Sequence, residues 1–104
     1  MQSNVVESEI RDVFYQEGIG IALGDAGTIA EEYRLRSLFL EKCRERMKGT
    51  RVKKREWMET AADLLGISVQ TLYVSHRAYA AIMSGKQPPG YARMAYNKIR
   101  KQTL

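Results

Sequence analysis

Both prolines of this 104-residue chain stand side by side, at Pro88 and Pro89, so residues 1–87 hold nothing that forbids a helix outright. Alternation of β-branched residues, the mark of a half-buried strand, is scarce, whereas apolar residues recur at three- and four-residue intervals. The pattern predicts an all-α fold. The length suits one domain with one modest core, so we expect a single-domain bundle of about five helices over residues 1–104.

The first helix is expected over residues 4–17, where Val6, Ile10, Val13 and Phe14 line one face and Ser3 or Asn4 can cap the start. Four glycines then fall within GIGIALGDAG, which reads as a connecting loop; it lacks the Gly-Lys-Ser/Thr ending of a phosphate-cradling turn. From Thr28 to Lys48 a long helix places Ile29, Tyr33, Leu40, Cys43 and Met47 along one side, widened by Leu35 and Phe39. The basic run Arg51 to Arg55 precedes a helix with Trp57, Ala61, Leu64 and Leu65 inward, ending at Gly66. Ser68 caps the next helix, which carries Leu72, His76, Tyr79 and Met83 on one face until Gly85. Residues 90–101 form a short basic helix aligned on Ala92, Tyr96 and Ile99.

Composition removes several classes. The hydrophobic share of 44% and charged share of 28% are those of a globular chain rather than a disordered one. No apolar run approaches a bilayer span, and the opening MQSNVVESEIRD has no basic segment leading into an apolar one, so a cytoplasmic protein without membrane or secretory signal is expected. One cysteine, Cys43, and one histidine, His76, offer neither a disulfide nor a zinc site, and no nucleophile sits beside a base; no cofactor, metal site or enzymatic activity is expected. Cys43 reads as a small core residue, His76 as a packed and hydrogen-bonded one, and Tyr91 and Tyr96 as packing residues, with the Tyr91 hydroxyl also able to donate to a phosphate.

The net charge of +5 is unevenly spread: residues 1–33 hold seven acids and one base, whereas residues 34–104 hold sixteen bases and five acids. An excess of this size on the larger part attracts a polyanion.

The segment Met58 to Tyr73, METAADLLGISVQTLY, fits a helix-turn-helix, here taken to occupy residues 51–84, between N-terminal helices in 1–50 and a C-terminal helix in 85–104. Ala62 is small where two helices cross, Gly66 takes the left-handed turn, and Leu65, Ile67 and Leu72 pin the pair to the core. The start of the second helix would project Ser68, Val69, Gln70, Thr71, Tyr73 and Val74 into a major groove as base-reading residues. Gln70 can pair with adenine, and Val69, Val74 and the Thr71 methyl suit a thymine methyl. Lys53, Lys54, Arg55 and Arg77 are the expected phosphate contacts, fixing register without reading sequence, and Tyr73 also has access to phosphate.

Beyond this segment, His76-Arg77, the aromatic Tyr79, Ala80-Ala81, Pro88 and Gly90-Tyr91-Ala92-Arg93 resemble the stretch that follows the helix-turn-helix in the KorA/TrfB group of plasmid repressors. The resemblance covers about residues 61–94, roughly a third of the chain, and implies a homodimer that binds palindromic operators and represses plasmid maintenance or transfer genes. The interval from Gly66 to His76 is one residue shorter than in that group, so the base contacts above rest on helix geometry. Eleven residues follow Arg93 where that group has a dimerising segment, which leaves the N-terminal helices as the expected interface.

The expectation is therefore a regulator, of plasmid or phage type, that binds double-stranded DNA. The alternative is a protein-interaction adaptor whose acidic N-terminal helix engages a partner and whose nucleic-acid contact is secondary. An RNA-binding role is less consistent with the motif, since the deep, narrow major groove of A-form RNA does not admit a helix.

Overall fold

A computed structural model describes residues 2–103, with side-chain surroundings defined for residues 5–101. Six α-helices run in the order α1 (Gln2–Gln16), α2 (Ile19–Gly24), α3 (Ile29–Met47), α4 (Lys54–Leu65), α5 (Val69–Ser84) and α6 (Arg93–Thr103). A 3₁₀ turn at Gly90–Ala92 leads into the last of them. No strand occurs among the described residues. The radius of gyration, 13.8 Å, is close to the roughly 13 Å of one packed domain of about 100 residues.

The start of α1 lies earlier than its capping residues suggested, so Ser3 and Asn4 fall within its first turn. Val6, Ile10 and Val13 are buried as expected, and Phe14 packs edge-on against Phe39 of α3 with ring centroids 5.5 Å apart. The glycine-rich stretch is not a plain loop, because Ile19, Ala22 and Leu23 recur at helical spacing and α2 forms around a fully buried Ile19. Gly18, at φ 65°, turns the chain between α1 and α2. Gly20 lies against the Phe14 ring, where a Cβ would come within 2.8 Å of Phe14 Cε1. Low helix propensity at this site reflects close approach.

At the head of α3, the Thr28 hydroxyl accepts the Glu31 N–H at 3.1 Å and caps the longest helix of the bundle. Two clusters divide the core. The larger joins α1, α2, α3 and α4 through Val6, Ile10, Ile19, Phe39, Leu40 and Trp57, and takes in Leu72 of α5. The smaller, Ala78, Ala92, Ala95 and Ile99, lies between α5 and α6, with Tyr33, Val74, Ile82 and Tyr96 half-buried around it.

The buried face of α5 differs from the expected stripe. Leu72, Ser75, Ala78 and Ala81 point inward, His76 and Tyr79 are half-buried at its margin, and Met83 is 68% exposed. Small side chains at 75, 78 and 81 let α3 and α6 approach α5 closely, and that approach selects a face the larger apolar residues alone do not indicate. In α4, Met58 and Ala62 join Trp57 and Ala61 in the interior, while Leu64 and Leu65 are half-buried.

Candidate nucleic-acid interface

Lys53 occupies the N-cap position of α4, and Lys54 and Arg55 belong to its first turn rather than preceding it. The helix ends at Gly66, whose φ of 70° allows the Gly66 N–H to reach the Asp63 carbonyl and the Ile67 N–H to reach that of Ala62. Two residues later Ser68 begins α5: its hydroxyl accepts the Thr71 N–H at 3.0 Å and donates to Thr71 Oγ1 at 2.8 Å. A turn of three residues, Gly66 to Ser68, thus joins two helices that share the Leu72 core.

The residues expected to read bases fall into two groups. Ser68, Gln70 and Thr71 are exposed. Val69 and Val74 are half-buried, Val69 against the larger core and Val74 against the smaller one, so each presents only part of its side chain. Tyr73 is half-buried too, at the centre of a cluster that the sequence pattern only partly indicates. Lys54 Nζ lies 5.7 Å and Arg77 Cζ 5.3 Å from its ring centroid, and the Tyr91 ring stacks on it at 6.0 Å and 23°. Hydrogen bonding to Tyr91, then the proximity of Tyr73, holds the Arg77 guanidinium firmly charged.

Tyr91, read as a packing residue that could also donate to a phosphate, packs on Tyr73 while staying 53% exposed on the same surface as Arg77. The buried Pro88, in the link from α5, is part of the route that returns the chain to the Tyr73 end of that helix. Of the expected phosphate contacts, Lys54 and Arg77 meet at Tyr73. Lys53 is exposed at the head of α4, and Arg55 is exposed but paired with Glu59 at 3.2 Å.

Beneath this surface a polar seam joins α3 to α5. The Arg36 side chain, 13% exposed, donates to Glu32 at 2.7 Å and to the Ser75 hydroxyl at 2.9 Å, and Ser75 in turn donates to the Thr71 carbonyl at 2.7 Å. One step along, the Ser37 hydroxyl lies 2.9 Å from His76 Nδ1, and His76 Nε2 lies 3.5 Å from Glu41. A neutral imidazole protonated on Nε2 satisfies both contacts. Burial lowers the His76 pKa despite Glu41, and Arg44, Arg77 and Lys54 act in the same direction as burial. These bonds lock the rotation of α5 about its own axis and hence fix which residues face outward. Ser37 and Ser75 carry no functional signature in sequence, since their role appears only when α3 and α5 meet.

Elsewhere, Cys43 is fully buried in the larger core, and desolvation pushes its thiol up to about 12, so it stays protonated. Among the described residues no group of three or more His, Cys, Asp or Glu side chains could hold a metal, and no helix is long and apolar enough to cross a membrane. Comparison of the chain with protein-family models, with curated proteins and with solved structures gives no match.

Proposed function

We propose that this chain is a sequence-specific DNA-binding regulator of transcription, of the plasmid- or phage-repressor kind, acting through α4 and α5 as a helix-turn-helix. The observation that carries the reading is the surface at the start of α5, where exposed Gln70 and Thr71 adjoin a cluster of Lys54, Tyr73, Arg77 and Tyr91. Amide and hydroxyl groups at the front of a helix suit base edges, and cations around them suit the two phosphate backbones that flank a major groove. The likeness of residues 61–94 to the KorA/TrfB repressors supports the same reading.

One such helix touches only a few base pairs, so a homodimer on a palindromic operator supplies the remaining specificity. Tyr15 and Ile21, exposed by 65% and 76% on the N-terminal helices, give that dimer an apolar surface to use. The acids of α1 are engaged within the chain: Glu9 and Asp12 hold Arg46 of α3 at 2.9 and 2.8 Å, and Glu7 holds Arg11 at 2.6 Å. This pairing supports a structural α1 over an adaptor helix reserved for a partner.

Selection of bound duplexes from a random pool tests the proposal. The expected result is a two-fold symmetric motif with half-site centres about one helical turn, roughly 34 Å, apart. On the selected site Gln70→Ala should cost about 1–3 kcal/mol while leaving affinity for random duplex unchanged. Recovery of no motif would remove the proposal, and equal losses on both DNAs would remove Gln70 from base reading.

A further inference from the structure

We infer that α6 is a second DNA-contacting element, which lays its outer face along the phosphate backbone beside the groove that α5 enters. The inference rests on the reading of α5 given above and extends the contact surface to a helix outside the helix-turn-helix.

The first observation is the distribution of ion pairs. Arg11, Arg34, Arg36, Arg44, Arg46 and Arg55 each have a carboxylate within ion-pair distance. No Asp or Glu follows Asp63, whereas Arg77, Lys86, Arg93, Lys98, Arg100 and Lys101 do. Among the described residues no ion pair involves Lys86, Arg93, Lys98 or Lys101. The arginines of α1 and α3 are neutralised within the fold, whereas Arg93, Lys98 and Lys101 of α6 have no carboxylate among the described residues to do the same.

The second observation is the sidedness of α6. Ala95 and Ile99 are buried, together with Ala92 just before the helix, while Arg93, Asn97, Lys98 and Lys101 are exposed. From Arg93 to Lys101 the outer face extends about 12 Å, enough to pass beside more than one phosphate at the spacing of a DNA strand. The third is continuity: α6 starts two residues after Tyr91, which stacks on Tyr73 and hydrogen-bonds Arg77 of α5, so the helix begins beside the Tyr73–Arg77 cluster. This continuity favours duplex DNA over any other polyanion. Lys and Asn side chains that carry no sequence information here add affinity and register.

The test uses the full chain and a random-sequence duplex, and measures the dependence of affinity on salt. Each lost phosphate contact should flatten the log–log slope by about 0.9, so Lys98→Gln with Lys101→Gln should flatten it by about 1.8. A control, Arg11→Gln with Lys42→Gln, removes the same formal charge from α1 and α3 and should leave the slope within about 0.5 of the original. Circular dichroism and thermal unfolding should be unchanged for the α6 variant, whose two side chains are exposed. A slope unmoved in the α6 variant, or moved equally in the control, would overturn the inference. The outcomes separate from those of the regulator proposal. A flattened slope without any sequence preference keeps α6 on DNA and removes sequence-specific regulation; a sequence preference with an unmoved slope removes α6 alone.

Discussion

The two core clusters solve the same problem with opposite materials. Around α1 to α4 the interior is filled by long side chains, Ile10, Phe39, Leu40 and Trp57 among them, whereas between α5 and α6 the buried residues are Ala78, Ala92 and Ala95 with Ile99, and the larger Tyr33, Val74, Ile82 and Tyr96 stay half-buried at the margin. The first holds helices by apolar area removed from water, the second by close approach of helices that have little to interpose. Charge follows the same division, with carboxylate pairs across α1 and α3 and, among the described residues, no ion pair at Arg93, Lys98 or Lys101 of α6. The larger core and the excess of basic charge thereby fall in different parts of one domain. The helix α5 belongs to both, anchored by Leu72 in the larger cluster and by Ala78 in the smaller.

If the division is correct, truncation should hurt most in the first cluster. Phe39, fully buried, should cost about 3–5 kcal/mol of unfolding free energy when replaced by alanine, measured by urea denaturation. A cost below about 1 kcal/mol would mean that the larger cluster is not tightly packed. The second cluster should respond to enlargement instead: Ala78→Leu should cost about 1–3 kcal/mol through displacement of α6 from α5, whereas a neutral effect would show room that the close approach denies.

The smallest effect sharpens the comparison at the seam between the two halves. His76 takes up a proton at lower pH in the folded chain than the ordinary value near 6.5, because burial disfavours the charged ring. Below that value the unfolded chain therefore binds more protons than the folded one. Its contribution is intact above pH 6.5 and declines as pH falls through the window beneath it. His76→Gln should flatten stability as pH falls below about 6.5, and an unchanged profile would show that His76 does not titrate against folding.

Much of the architecture is legible in the residues because helix periodicity and chain stops are local properties. Gly66 and Ser68 mark the α4–α5 turn through the backbone conformation and cap they provide, and Val6, Ile10 and Val13 announce the face of α1. Where readings fail, the deciding partner is distant in sequence. The glycines of α2 read as a loop until Phe14 is seen lying over Gly20, and α5 turns toward Ser75 and Ala78 because of what α3 and α6 bring to it. For the candidate interface, Lys54, Tyr73 and Arg77 are recognisable by type and spacing. Tyr91 joins them only through the return of the chain after Pro89, and the Arg36–Ser75–Thr71 seam arises from residues 39 apart that carry no motif.

The most direct test of the account is binding of the purified protein to the DNA upstream of its own coding region against random DNA of equal length, across a range of salt. The account predicts a preference of about a thousandfold or more at physiological salt, with protection of two half-sites one helical turn apart. Equal, weak and strongly salt-sensitive binding to both DNAs would contradict it, and would leave the basic surface of α5 and α6 as a general attraction for polyanions.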